Sequence, residues 1–526
     1  MIERLEIDGR SLRLTDIEAV ARAGVRVELA EPARLRVAAS RAVVDRILAS
    51  GVVVYGVNTG FGKLAELRVP PDQLRRLQLN LLRSHACGVG EPLPERVVRA
   101  MLLLRANVLA TGHAGCRPLV IERLLDLLNA GVHPVVPSRG SVGASGDLAP
   151  LAHLALPLVG EGWAVVGGEV LPAAEALRRA GIAPLELEAK EGLALINGTQ
   201  ASVAVAALAV AAAGRLLDAA DVVCSLSLDA LAGTDAAFDE AVHAARPHPG
   251  QQASARRIAL LLAGSQIRED HRECGRVQDA YSLRCSPQVH GASRDALAHA
   301  RGVLGIEVNS ATDNPMVLDD GRVVSAGNFH GAPVAAVCDY LAITLTDLAS
   351  ISERRLARLV DSSQSMLPAF LTREPGLNSG LMMVQVAAAA LVSECKTLAH
   401  PASVDSIPTS AGQEDHVSMS TWASRKLASI VDLLRLVLGT EYLAAVQAIE
   451  LRRPLRTSEA LERAVLALRR HVPPLDEDRV LAPDIERAAE LVEELAELLG
   501  EPPPARPEPT PERRPPPLPH PLTDWA

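Results

Sequence analysis

Four phenylalanines, four tyrosines and three tryptophans are all the aromatic side chains in 526 residues, although 48% of the chain is hydrophobic. A core of that size must be packed from Ala, Leu and Val. Small aliphatic side chains of good helix propensity favour long helices lying close together over sheet sandwiches. The expectation is a mainly α protein, a bundle of long helices with a smaller mixed domain at the N-terminus.

Apolar residues at helical spacing mark long segments near 199–230, 331–360, 379–400 and 426–450. Elements closer to the N-terminus are shorter. Thr15-Asp16-Ile17-Glu18 has the form of a capping box opening a helix that stops near Gly24. Val43, Val44, Ile47 and Leu48 mark one face of a second helix, ended by Gly51. Val52-Val53-Val54-Tyr55 reads as a short strand entering the loop Gly56-Val57-Asn58-Thr59-Gly60-Phe61-Gly62. These patterns divide the chain into a mixed domain over 1–110 and a helical bundle over 111–500. Residues 501–526, eleven of them proline, read as a disordered or polyproline tail. Polar loops over 271–291, 309–330 and 401–420 join the helices, where a bundle can gather reactive side chains.

A formal charge of −10 argues against a nucleic-acid-binding surface, which would be basic. The start Met1-Ile2-Glu3-Arg4-Leu5 lacks a signal pattern. The most apolar run, Ala201 to Gly214, is too short to cross a bilayer and ends at Arg215, so it reads as a buried core helix. Seven scattered cysteines do not form a disulfide framework, and a reduced, cytoplasmic protein follows. In that compartment the sequon Asn197-Gly198-Thr199 is irrelevant to glycosylation. His113 and Cys116 have ligand-like spacing, but no second pair completes a metal site, and no metal is expected.

The stretch Ser141-Val142-Gly143-Ala144-Ser145-Gly146-Asp147-Leu148-Ala149-Pro150 carries the most telling chemistry. Attack of the Gly146 amide nitrogen on the Ala144 carbonyl carbon closes a five-membered imidazolone with loss of water. Loss of the Ser145 hydroxyl as a second water leaves an exocyclic methylene that accepts nucleophiles. Gly146 reaches dihedrals closed to other residues, and Ala144 leaves the ring uncrowded. The same residues also read as a Gly-rich turn before a helix capped by Asp147. A nucleophile elbow fails because Asp147 occupies its last glycine position. A dinucleotide fingerprint fails because the glycines at 140, 143 and 146 are spaced by three. The rest of the chain must decide.

Further segments hold more reactive side chains than a structural loop needs: the Tyr55 loop, Ser84-His85, Ile196-Asn197-Gly198-Thr199-Gln200, Gln278-Asp279-Ala280-Tyr281-Ser282-Leu283-Arg284, Gly327-Asn328-Phe329-His330-Gly331 and Ser410-Ala411-Gly412-Gln413-Glu414-Asp415-His416. With Ala144-Ser145-Gly146, and over about Leu5 to Leu499, they resemble the aromatic amino acid ammonia-lyase family, most of all its histidine-handling branch. The resemblance implies elimination of ammonia from L-histidine to give trans-urocanate, the entry step of histidine degradation. It implies a methylidene-imidazolone (MIO) formed autocatalytically from Ala144-Ser145-Gly146, with no external cofactor.

The same resemblance implies the roles. Tyr55 matches the general base for the β-proton, a task for a phenol only where nearby donors and positive charge stabilise the phenolate. Asn197 matches the asparagine bonded to the MIO ring, in the manner of an oxyanion hole. Tyr281 matches a second active-site tyrosine and Gln278 a polar neighbour. Arg284 matches the guanidinium that grips the substrate carboxylate, which suits its bidentate fork. Phe329 matches an aromatic wall. His85 and Glu414 match the partners of an imidazole substrate, because an apolar ring would leave both unsatisfied. The family's architecture implies a homotetramer with sites drawn from three subunits. Gly412 stands where the histidine branch commonly has Asn, and Ala402 where a second His is common; neither removes a group assigned above. Two other readings stay open: a lyase or 2,3-aminomutase acting on tyrosine or phenylalanine, and a non-catalytic helical scaffold.

Overall fold

The computed structural model describes residues 3–22, 24–272 and 277–495. The tail over 501–526 lies outside the described residues. Long helices dominate: Gln200–Ala230, Ser286–Glu307, Ala332–Val360, Met382–Leu398 and Ser420–Leu451. Gln200–Ala230 and Ala332–Val360 both pack along Ser420–Leu451. One continuous apolar core runs from Ile7 to Leu495, and the Glu95–Ala110 helix joins it to the N-terminal elements. Strands are few and short. Arg4–Ile7 pairs in parallel with Arg26–Leu29 (Leu5 opposite Val27), and Trp163–Val166 pairs antiparallel with Glu169–Pro172.

The composition explains the bundle. Along Gln200–Ala230, alanines dominate the first half, so neighbouring backbones can approach closely, and almost the whole helix is buried. It runs well past Arg215, whose guanidinium pairs with Glu18 and Glu493 at 2.5 and 2.8 Å. At 31 residues it is long and apolar enough to cross a membrane, yet 72% of its apolar window is buried against the rest of the protein.

Some elements differ from the sequence reading. The first helix spans Leu14–Ala21, and Asp16 Oδ2 accepts from the Arg13 amide at 3.0 Å, so Arg13 in place of Thr15 stands at the helix start and the cap is one-sided. Val52-Val53-Val54-Tyr55 is not a strand. Asn58 takes up its backbone, accepting from the Val54 amide at 2.8 Å and donating to the Val52 carbonyl at 2.8 Å, which leaves no ladder to form. The second half of the loop expected over 271–291 is helical: Tyr281–Arg284, then Ser286–Glu307.

Deep in the bundle, Arg355 and Glu441, both fully buried, form a bidentate pair at 2.6 and 2.9 Å. The Ser227 and Ser352 hydroxyls donate to the same carboxylate at 2.6 and 2.5 Å. Replacing Glu441 by Gln strands a buried cation, so Glu441→Gln is expected to cost about 3–5 kcal/mol in chemical unfolding. An unchanged unfolding midpoint would show that the pair contributes nothing.

Candidate active site

The Ala144-Ser145-Gly146 segment turns back on itself. Ala144 and Gly146 face each other as a bridge across Ser145, and Gly146 bridges in parallel to Gly198. Gly146 has φ +74°, and a Cβ there would lie 2.3 Å from the Gly198 carbonyl oxygen, so only glycine fits. On the upstream side, the Met419 amide donates to the Val142 carbonyl at 2.8 Å and the Ser418 hydroxyl to the Gly143 carbonyl at 3.0 Å. The turn is thus held between the start of the Ser420–Leu451 helix and the start of Gln200–Ala230.

Asp147 closes the segment. It stands at the N-terminus of Leu148–Ala155 but makes no side-chain cap there. Its carboxylate accepts instead from the Ser202 amide (2.7 Å) and from the hydroxyls of Ser202 (2.8 Å), Thr421 (2.6 Å) and Ser141 (3.3 Å). It therefore caps the first turn of Gln200–Ala230, a different helix from the one its sequence position suggests. Burial raises its carboxyl above the ordinary value, against the pull of these hydrogen bonds.

Several side chains converge on the turn. The Ser145 hydroxyl donates to Glu414 Oε1 at 3.5 Å, and Thr409 holds the other carboxylate oxygen at 2.6 Å. Gly62–Leu64 packs on Ser410–Gly412, and the Gly62 amide faces the Tyr55 hydroxyl at 3.5 Å. His85 ends the helix Leu74–His85, which is fastened to Glu191–Ile196 by Gln78 Oε1 accepting from the Gly192 amide at 2.9 Å. Asn197 follows that second helix, donating from Nδ2 to the Asn314 carbonyl at 3.3 Å, while its buried Oδ1 has no partner among the described residues.

His85 Nδ1 lies 2.8 Å from the Leu81 carbonyl, which can only accept. The proton must therefore sit on Nδ1, leaving Nε2 as an acceptor. Burial lowers the His85 pKa, while the Leu81 bond and the nearby charge of Glu414 act the other way. The loop of Phe329 adjoins the same region: Ala326 donates to Asn314 Oδ1 at 2.7 Å, and His330 stacks on His416 with centroids 5.8 Å apart. The Phe329 ring is half-buried.

Gln278, Tyr281 and Arg284 are not brought here. The Arg284 guanidinium lies over the Tyr281 ring at 4.5 Å, and Tyr281 is 71% exposed. Neighbouring Asp279 accepts from the Thr234 amide at 2.7 Å, beyond the C-terminus of Gln200–Ala230, whereas Gly198 lies just before its N-terminus. At 1.5 Å per residue that helix is about 45 Å long. The Ala332–Val360 helix repeats the measurement. Its start lies against Ser420, while Arg355 near its end reaches the Ser282 carbonyl at 3.5 Å, about 36 Å along. Within one chain, the candidate residues occupy opposite ends of the bundle. The sequence reading did not single out Thr409, Gln78 or Arg105, whose contacts join residues far apart in the chain.

The sequence pattern of the family described as aromatic amino acid lyase matches residues 12–470. Histidine ammonia-lyase from Gloeobacter violaceus is 54% identical over 492 residues, covering 93% of this chain and 96% of that one. The Myxococcus xanthus protein of the same name is 53% identical over 93% of this chain and 97% of its own. Among solved structures, histidine ammonia-lyase from Trypanosoma cruzi superposes with a TM-score of 0.88 at 44% identity, covering 94% of each chain. Tyrosine aminomutase from Streptomyces globisporus reaches 0.89 at 37% identity, covering 94% of this chain and 98% of that one. Near-equal scores mean that overall shape does not separate these chemistries; side chains at the site must.

Because its pKa is lowered, His85 is expected to remain neutral as pH falls through the ordinary value of 6.5. Diethyl pyrocarbonate, which acylates only neutral imidazole, should modify His85 with a midpoint below that value. Glu414→Gln removes the attraction for the charged ring and should move the midpoint lower still. A midpoint at or above 6.5 would contradict the assigned environment.

Proposed function

The chain belongs to the aromatic amino acid lyase family, and from that premise we propose that it eliminates ammonia from L-histidine to give trans-urocanate, the first step of histidine degradation. The observation that carries this reading is the folded-back Ala144-Ser145-Gly146 turn with His85 and Glu414 gathered beside it. The tripeptide fits the MIO group: its two ends already face each other, and the close contact of Gly146 with Gly198 leaves no space for a side chain. The ring supplies an electron-poor methylene that activates the substrate's amino group for departure.

The other groups do what their chemistry allows. Neutral His85 offers Nε2 to an imidazole N–H of the substrate, and Glu414 offers a carboxylate to the imidazole or the amine. A phenylalanine ring would leave His85 Nε2 and, once the Ser145 hydroxyl is lost, Glu414 Oε1 unsatisfied, which disfavours the corresponding lyase or aminomutase. Tyr55 takes the β-proton, with the Gly62 amide directed at its oxygen. Asn197, anchored through Nδ2 to Asn314, would hold the MIO ring, its second Nδ2 hydrogen stabilising negative charge there. Arg284 grips the substrate carboxylate in its fork, with Tyr281 and Gln278 beside it, and Phe329 walls the ring pocket.

Arg284, Tyr281 and Gln278 must come from another copy, because Arg284 lies a helix-length away from Ser145 in its own chain. A two-fold operator between long helices brings opposite ends together and completes two sites at once. Exposed apolar side chains support such assembly: Tyr340 and Ile343 on Ala332–Val360, Met382, Met383 and Val386 on Met382–Leu398, and Val404 and Ile407. We assign a homotetramer working in the cytoplasm.

Ser145→Ala is expected to lower urocanate formation, read by absorbance after adding L-histidine, at least about 1,000-fold, the scale for loss of an essential reacting group. In the wild type, the peptide spanning 140–150 should lack two waters. Equal turnover by both proteins, or activity on tyrosine in place of histidine, rejects the assignment. Arg284→Met alone should be inactive too. Co-expressed with Ser145→Ala it should regain activity in mixed tetramers, because some sites then draw one intact residue from each chain. Absence of recovery in mixed tetramers rejects Arg284 as a residue of a shared site.

A further inference from the structure

Arg105 lies on the Glu95–Ala110 helix, fully buried and remote in sequence from every segment assigned a role above. Its Nη1 donates to the Asn197 carbonyl at 2.8 Å and to Gln200 Oε1 at 2.6 Å, and its Nη2 donates to the Ala194 carbonyl. Gln200 Nε2 in turn donates to Thr312 Oγ1 at 2.8 Å. Burial lowers the guanidinium to about 10, so it stays charged at neutral pH. The cation holds the end of Glu191–Ile196 and the start of Gln200–Ala230 at one point.

Between those two helix ends lies the Gly198 peptide. It has φ +148°, and a Cβ there would meet Gln200 Oε1 at 2.4 Å, Arg105 Nη1 at 2.7 Å and Thr312 Oγ1 at 2.9 Å. Its other side touches Gly146, and its carbonyl accepts from the Asp147 amide at 2.8 Å. Gly198 is thus confined between the reactive turn and a rigid polar backing of Arg105, Gln200 and Thr312.

We propose that Arg105, through Gln200 and Thr312, is a positioning residue for self-processing: it backs the Gly198 peptide so that the Gly146 amide stays pressed toward the Ala144 carbonyl. The inference rests on the MIO reading. Ring closure forms the bond from Gly146 N to Ala144 C; the Ala144 oxygen leaves as water with the amide hydrogens of Gly146 and Ser145. The Ser145 hydroxyl then leaves as a second water with the Cα hydrogen, so no oxidant or reductant is needed. Arg105 takes no part in these exchanges. Its effect is on the approach of the two reacting atoms, where a displacement of about 1 Å costs on the order of 100-fold in rate.

The test follows the mass of the 140–150 peptide at intervals after cell-free synthesis, in the soluble, assembled fraction of each protein. Arg105→Lys keeps the charge but not the fork, and Thr312→Val keeps the shape but not the acceptor. In both, loss of the two waters should be slowed, roughly 100-fold for Arg105→Lys, while unfolding midpoints show that the fraction measured is folded. Thr312→Ser restores the hydroxyl and should restore the wild-type rate. Dehydration of soluble Arg105→Lys or Thr312→Val at the wild-type rate overturns the proposal; if Arg105→Lys gives no soluble protein, Thr312→Val decides alone. A wild-type peptide that never loses water sinks the MIO reading itself, a different outcome.

Discussion

Asp147 joins the reactive turn to the bundle. One buried carboxylate takes an amide and a hydroxyl from Ser202, on one long helix, and a hydroxyl from Thr421, on another. A helix start leaves amide donors without intrahelical partners, and an anion placed there is stabilised by the N-terminal end of the helix dipole. The arrangement satisfies the start of the Gln200–Ala230 helix and ties residues 141–147 to two long, largely buried helices. Burial still raises the carboxyl above its ordinary value, so desolvation exceeds what the donors return. Asp147 is fully buried, so the packing around it is closed to solvent.

That closure has a mechanical consequence. The turn cannot relax upstream, where Ser418 and Met419 hold the Val142 and Gly143 carbonyls, or downstream, where Gly198 stands against Gly146. Strain at a reactive site persists when its surroundings over-determine the backbone. Here the surroundings are the starts of two long helices, Gln200–Ala230 and Ser420–Leu451, packed along one another. The same long helices that supply stiffness also set distances, and they separate Ser145 from Arg284 by more than a side chain can bridge. A bundle of this length either wastes one of its ends or shares both with neighbours.

Much of this was legible in the chain order. The scarcity of aromatics and the helical spacing of Ala, Leu and Val led to the long helices at 200–230, 332–360, 382–398 and 420–451, with ends shifted by a few residues. Seven residues read as one site, Tyr55, His85, Ala144, Ser145, Gly146, Asn197 and Glu414, lie around one turn. Other readings failed for local reasons. Val52–Tyr55 has strand composition, but the Asn58 side chain satisfies its backbone at shorter range. Asp147 has the position of a helix cap and serves a helix more than fifty residues away. Ser286–Glu307 carries no clear helical signal in the sequence, because its Ala, Ser and Arg content gives a weak apolar stripe.

The amino-acid order by itself determined which chemistry is available: a tripeptide able to close into an electrophile, a histidine and a glutamate suited to an imidazole, an arginine suited to a carboxylate. Those are properties of covalent structure and need no fold. Only the tertiary structure decided which groups meet. The tautomer of His85 depends on the Leu81 carbonyl, the grip on Gly198 depends on Arg105 from a distant helix, and the separation of Arg284 depends on the length of packed helices. Each is a distance between residues far apart in the chain, and such distances are set by packing, which local sequence does not encode.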